Sequence, residues 1–274
     1  MQHELILILD FGSQYTQLIA RRLREQGVYC EIVPFHYSLE KIIERQPKGV
    51  ILSGGPNSVY EKDAPQVSSD FYEKINVPIL GICYGMQLLA KDLHGQISPS
   101  DRREYGHAKL KRLSGRTDLF KDLPAELDVW MSHGDHVTEL PEGFHKTAST
   151  GDVITAIENI EKQIYAVQFH PEVSHTPLGK EILRNFLFNI CECTGDLTSK
   201  QFIAEEVEKI RATIESTPPL KPQTTLSFSP TIARIFSTSS AMNCFEVQSP
   251  VHSQMLNKKL RKISLPSGVC ETSG

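Results

Sequence analysis

Cys83 is framed by glycines at 81 and 85 in the run Pro78-Ile79-Leu80-Gly81-Ile82-Cys83-Tyr84-Gly85-Met86-Gln87. G-x-C-x-G is the thiol counterpart of the sharp strand-to-helix turn that displays a serine nucleophile in hydrolases. The apolar residues before Cys83 read as a buried strand, and those from Met86 to Ala90 as a helix, so the thiol falls at a helix's first turn. Unpaired N–H groups and the positive end of the helix dipole favour negative charge on sulfur there. A thiol nucleophile needs a partner that takes and returns a proton, and Gln168-Phe169-His170-Pro171-Glu172 offers one. Histidine titrates in the right range, and a carboxylate two residues on can fix its tautomer and stabilise its cation. An extended chain from Ile164 to Glu172 would put His170 and Glu172 on one face by the period of two. Cys83, His170 and Glu172 are therefore the candidate nucleophile, base and orienting carboxylate.

Other segments carry less chemistry. Ser53-Gly54-Gly55-Pro56-Asn57-Ser58 follows a strand; it is either a tight surface loop or a turn whose N–H groups face a ligand. Neither G-x-G-x-x-G nor G-x-x-x-x-G-K-[ST] occurs, which weighs against a phosphate loop. Ser132-His133-Gly134-Asp135-His136 is expected just after a strand, as a polar turn rather than a metal site. Cys191-Glu192-Cys193 has no second pair at zinc spacing, and no metal is expected. Asp10-Phe11-Gly12 spells a kinase triplet without the loops that would give it meaning.

The elements that must position these groups alternate. Leu5 to Leu9 is a continuous apolar run, the pattern of a strand covered on both faces. Ser13 is the expected N-cap of a helix carrying Tyr15, Leu18, Ile19 and Leu23, which Gly27 stops. Strands at 28–33, 49–52 and 77–82 and helices at 38–45 and 71–75 continue the β-α order. It predicts a mainly parallel open sheet flanked by helices, an α/β fold with right-handed crossovers. In such sheets ligands sit at the carboxyl ends of strands, where both Gly54-Gly55 and Cys83 fall. From about 95 to 168 the pattern changes to short strands separated by turns, an expected antiparallel extension. Leu178 to Ile190 reads as one amphipathic helix, and Lys200 to Ile214 as another, with a stripe of Ile203, Val207, Ile210 and Ile214.

Composition narrows the class. The formal net charge of −4 hides a basic segment, 217–274, with 6 Lys and Arg against 2 Asp and Glu, behind an acidic body. An acidic body argues against nucleic acid as a partner. No apolar stretch is long enough to span a bilayer, and the short N-terminal run is not a signal peptide, so no membrane partner is expected. Six scattered cysteines suggest reduced thiols and a cytoplasmic location. Residues 217–274 hold 22 Ser, Thr and Pro among 58 without periodicity, and are expected to be disordered or weakly structured.

Taken together, Leu9-Asp10-Phe11-Gly12-Ser13-Gln14-Tyr15, Ser53-Gly54-Gly55-Pro56, Gly81-Ile82-Cys83-Tyr84-Gly85-Met86-Gln87, Met131-Ser132-His133-Gly134-Asp135 and His170-Pro171-Glu172 resemble the class I glutamine amidotransferase family over roughly residues 4–190. The first and fourth segments resemble the branch that aminates a purine nucleotide, rather than the glutaminase subunits of anthranilate and carbamoyl-phosphate synthesis. The resemblance implies a flavodoxin-like fold and a glutaminase in which Cys83 forms a γ-glutamyl thioester with glutamine. It further implies that His170, oriented by Glu172, protonates departing ammonia and then activates water. By the same resemblance, Gly55 and Tyr84 supply oxyanion-hole N–H groups, and Gln87, Ser132, Gly134 and Asp135 hold the glutamine. The implied layout is a family domain over 1–194 and a helical connector over 195–216 that leads toward a synthetase. No cofactor is implied for the glutaminase domain; Mg-ATP belongs to the whole enzyme's synthetase. An S-G-G-V-D-S-type loop does not follow Ile214, so the expectation is a truncated or frame-disrupted chain, with any synthetase supplied in trans. Two alternatives stand beside this reading: a γ-glutamyl hydrolase, and an idle module that associates through the Ile203/Val207/Ile210/Ile214 stripe.

Overall fold

Alternation along the first strand divides the core in two. In a computed structural model of the chain, β1 (Leu5–Asp10) sends Ile6 and Ile8 into one apolar cluster and Leu5, Leu7 and Leu9 into another, on opposite faces of the sheet. Residues 3–113, 117–195 and 197–198 are described, with the backbone alone for 100–104. From 201 to 212 the described positions are Gln201, Ile203, Ala204, Val207, Glu208, Arg211 and Ala212. Those seven are helical, with Ile203 and Val207 exposed. The expectations for Ile210, Ile214 and residues 217–274 lie outside the described residues.

The expected α/β architecture is present. One nine-stranded sheet runs in the order β2-β1-β3-β4-β9-β8-β7-β5-β6. β1 pairs in parallel with β2 (Tyr29–Pro34) and β3 (Gly49–Leu52), β3 with β4 (Ile79–Ile82), and β4 with β9 (Ile164–Val167). Helices α1 (Thr16–Arg24) and α5 (Gly179–Arg184) cover the face of Ile6 and Ile8, packing Ile19, Leu23, Ile182 and Leu183 against it. The other face is covered by α2 (Leu39–Glu44), α3 (Phe71–Lys74) and α4 (Tyr84–Asp92) through Ile42, Phe71 and Leu89. The antiparallel extension follows β9 through β8 (Val153–Asn159), β7 (His145–Thr150), β5 (Gln96–Arg112) and β6 (Glu126–Glu139).

Four local expectations need correction. Ser13 is not the cap of α1: its Oγ accepts the N–H of Tyr15, while Asp10 Oδ1 takes Gly12 N and Thr16 Oγ1, delaying the helix to Thr16. The segment 132–136 is not a turn after a strand but lies inside β6. Pairs such as Tyr105↔Ser132 and Pro99↔Asp135 hold it in the ladder with β5. Those two strands are long rather than short, and their register shifts between Pro99 and Glu104, where proline has no N–H to give. The helix expected over 178–190 changes pitch, and Asn185–Ile190 is a π-helical turn closed by Cys191 N on Phe186 O at 2.9 Å. At its start, Asn185 Nδ2 donates to the carbonyls of Leu119 and Lys121.

Gly81 and Gly85 let the β4–α4 turn pack against its neighbours. A Cβ on Gly85 would lie 2.5 Å from Leu52 O and 2.8 Å from Leu52 Cβ in β3, and one on Gly81 would lie 2.9 Å from Gly85 C. Gly85→Ala is therefore expected to cost about 2–3 kcal/mol, the scale of overpacking in a rigid interior. Thermal unfolding checks this against Gly134→Ala, where a Cβ would meet nothing within 4 Å and stability should hold.

Candidate active site

Cys83 sits at the tip of the turn with φ 52° and ψ −103°, a left-handed conformation that a side chain rarely adopts. Such strain, on the order of 1–3 kcal/mol, persists only where surrounding bonds enforce it. Here Cys83 N donates to Val167 O at 2.8 Å, Gly85 N to Ser53 O, and Met86 N and Gln87 N to Cys83 O. The thiol is buried at the start of α4. Its sulfur lies 3.6 Å from Ser132 O and 3.7 Å from Gln168 Nε2.

The structure brings His170 and Glu172 to the same place, although not by the expected route. β9 ends at Val167 and the chain turns, so the period of two does not operate. The two side chains nevertheless meet directly, with His170 Nδ1 2.7 Å from Glu172 Oε1, both buried. Surrounding bonds fix the loop: His170 N donates to Trp130 O, Thr176 Oγ1 to His170 O, and Arg22 Nε from α1 to Glu172 O. The ring of Tyr15 stands edge-on to the imidazole at 5.2 Å between centroids. Gly54 lies so close that a Cβ there would be 3.2 Å from His170 Cε1.

Burial opposes a charge on His170. Hydrogen bonds and Coulombic attraction from Cys83 and Glu172 outweigh it and hold the imidazole well above its ordinary range. His133 behaves oppositely: burial pushes it down to about 4, with His136 and His170 adding repulsion, against a hydrogen bond that its ring donates to the Asp135 backbone carbonyl.

A pocket of about 440 Å³ opens over Cys83, lined by Gly55, Gln87, Ser132, Gly134 and Asp135 among others. Five of the six residues expected to bind substrate or form the oxyanion hole thus share one wall with the sulfur. The sixth, Tyr84, turns its hydroxyl away to Pro65 O and offers only its backbone. Among the described residues neither Tyr84 N nor Gly55 N donates to another protein group, while their neighbours Cys83 N and Gly85 N are committed. The side-chain N–H groups of Gln87 are turned inward to Asp135 O at 2.7 Å and Gln168 Oε1 at 3.4 Å, leaving its carbonyl oxygen for a ligand. Sequence reasoning assigned no role to Ser58, whose Oγ donates to Asp135 Oδ2 at 2.6 Å across 77 residues, nor to Tyr15 or Gln168. Only Gln168 left a signal, as a polar residue at the end of the apolar run Ile164–Val167.

The Ser53-Gly54-Gly55 loop does not fit a nucleotide phosphate. Ser53 Oγ accepts Phe11 N, Gly54 is packed on His170 and Ser13, and Gly55 lines the same pocket as Cys83, so the loop faces the imidazole and the thiol's pocket. Among the described residues no group of three or more His, Cys, Asp or Glu is placed to hold a metal ion, and no helix is long and apolar enough to cross a membrane.

A five-strand parallel sheet with a cysteine elbow facing a His–Glu pair is the arrangement of a glutamine amidotransferase. The family described as "Glutamine amidotransferase class-I" matches residues 7–190, and the chain belongs to it. Within that family it is homologous to the amidotransferase portion of the glutamine-hydrolysing GMP synthases. It is 56% identical over 212 residues to the "GMP synthase [glutamine-hydrolyzing]" of Caldicellulosiruptor saccharolyticus, covering 77% of this chain and 41% of that one. It is 48% identical over 215 residues to that of Finegoldia magna, covering 78% and 42%. The chain thus spans about two fifths of the length of the curated relatives it matches. A solved structure from Thermoplasma acidophilum, described as that of a candidate GMP synthase subunit, superposes with a TM-score of 0.64 at 33% identity, covering 76% of this chain and 99% of that one. A glutamine amidotransferase from Thermotoga maritima, with a TM-score of 0.57 at 20% identity over 70% of this chain and 100% of that one, shares the fold.

Proposed function

We propose that the pocket binds L-glutamine and that Cys83, His170 and Glu172 hydrolyse its side-chain amide to glutamate and ammonia. The observation that carries the reading is the His170–Glu172 pair, 2.7 Å apart and buried, acting on the Cys83 thiol at the floor of the pocket. In this reading the thiol proton passes to His170 and the sulfur attacks the amide carbon. The carbonyl oxygen takes up negative charge beside the N–H groups of Gly55 and Tyr84, which point at no other group among the described residues. Such preorganised donors are commonly worth several kcal/mol each. His170 then returns its proton to the departing nitrogen, ammonia leaves, and a γ-glutamyl thioester remains. Water gives a proton to His170 and attacks the thioester; glutamate departs and the sulfur recovers its proton.

Asp135, held by Ser58, and the free carbonyl of Gln87 are suited to the α-ammonium of glutamine. Ammonia would serve a synthetase domain or subunit that activates XMP with Mg-ATP and aminates it to GMP; Mg-ATP and XMP are assigned to that synthetase, not to this pocket.

The test is incubation of the chain with glutamine, with glutamate and ammonia expected in equal amounts. γ-Glutamyl peptides, whose amide carries a second residue, should be hydrolysed far more slowly. Equal rates on both would favour a γ-glutamyl hydrolase, and no product from either would sink the glutaminase reading.

A further inference from the structure

We propose that Gln168 is a further catalytic residue, donating a side-chain hydrogen bond to the nucleophilic sulfur and held in that orientation by Gln87. The proposal rests on Cys83 being the nucleophile. Its geometry is a chain of three contacts: Gln87 Nε2 to Asp135 O at 2.7 Å, Gln87 Nε2 to Gln168 Oε1 at 3.4 Å, and Gln168 Nε2 to Cys83 Sγ at 3.7 Å. The direction of the chain follows from its first member. A main-chain carbonyl only accepts, so Gln87 must present its NH2 to Asp135. The second hydrogen on that nitrogen then meets Gln168 Oε1, which turns the Gln168 NH2 toward sulfur. Both amides are buried, Gln168 completely. Reversing Gln87 would set its oxygen against the Asp135 carbonyl, and reversing Gln168 would set its oxygen against a negative sulfur, both electrostatically unfavourable in a buried site.

The sulfur therefore has two partners suited to its two protonation states. The carbonyl of Ser132, 3.6 Å away, accepts from S–H but repels a thiolate. The Gln168 N–H complements the thiolate and is a charge-assisted donor only in that state. Its bond strengthens as the proton leaves for His170, weakens while the sulfur is acylated, and strengthens again as glutamate departs. Gln87 acts through Gln168 and is a positioning residue; it also ties the sulfur to the pocket wall at Asp135. Among the described residues, the titratable groups facing the sulfur or sharing its pocket are His170, backed by Glu172, on the loop after β9, His133 and Asp135 on β6, Tyr105 on β5, and Glu61 on the pocket wall. None of them is altered by changing either glutamine.

The experiment is the pH dependence of Cys83 alkylation by iodoacetamide in the full chain, resolved from the other cysteines by peptide mapping. Gln168→Met keeps the volume and removes the donor. It should move the midpoint of the Cys83 curve up by about one pH unit, the scale of one hydrogen bond to a charged group. The kcat for glutamine should fall about tenfold, with KM changed by less than about threefold. Gln87→Met should move the midpoint in the same direction by less, because the Gln168 amide loses its orienting partner. A folded Gln168→Met with the parent's midpoint and kcat overturns the proposal. If thermal unfolding shows that this variant does not fold, an unchanged midpoint in Gln87→Met overturns it instead. Alkylation needs no substrate, so a parent chain without glutaminase activity refutes the proposed function separately, while the midpoints still decide the role of Gln168.

Discussion

Cys83→Ala is expected to lower kcat for glutamine hydrolysis by roughly six orders of magnitude, the scale seen when a covalent nucleophile is removed from an otherwise intact site. No second thiol among the described residues can substitute: Cys30, Cys191 and Cys193 are buried outside the pocket lining, and burial holds Cys30 and Cys191 above the ordinary thiol range. Alanine accepts the same backbone as cysteine, so the strained turn and its bonds to Val167, Ser53 and the α4 amides should survive. Loss of activity should therefore come without loss of fold. Glutamate release by the purified chain, read beside thermal unfolding, checks both halves; substantial residual hydrolysis in a folded variant would remove Cys83 from the mechanism.

The second large effect belongs to the His170–Glu172 pair. His170→Asn should lower kcat by about 10³–10⁴-fold, since both half-reactions move a proton through that imidazole. Glu172→Gln keeps the shape but offers an amide where the imidazole needs a negative acceptor, and should cost about 10²–10⁴-fold. The pair also makes stability depend on pH. The folded imidazole is held above the ordinary value of about 6.5. Its contribution is therefore fully present below that pH and is lost as pH rises through the folded value. The parent's melting temperature should fall over that interval, and His170→Asn should flatten the fall. Melting curves across pH for the two chains measure it; parallel curves would mean that the charged pair does not contribute.

Most of the scaffold was legible because its signals are local. Leu5 to Leu9 carries the pattern of a doubly covered strand, and the run ending at Gly81-Ile82-Cys83 reads as a strand turning sharply into a helix, as both do in the structure. His170 and Glu172 were matched correctly for a reason that does not hold: the chain leaves the sheet at Val167, and the pair meets in a turn. Ser13 was misread because a competing side chain, Asp10, captures the first helical hydroxyl. The segment 132–136 was misread because its polar residues imitate a loop, while strand pairing with β5 overrides composition. Resemblance to the family supplied Gly55, Gln87, Ser132, Gly134 and Asp135, and the fold gathers them around one pocket. Contacts such as Ser58 to Asp135 and Gln168 to Cys83 cross 77 and 85 residues and leave no mark in spacing.

The central claim is that Cys83 attacks a glutamine held in the pocket above it. Treatment with a glutamine analogue bearing a chloroketone in place of the side-chain amide tests this directly, because only a thiol placed at the amide carbon is alkylated quickly. The account predicts one label per chain, on the peptide containing Cys83, with free glutamine slowing the reaction in proportion to its occupancy of the pocket. Labelling spread over other residues, or a rate on Cys83 that glutamine leaves unchanged, would contradict it.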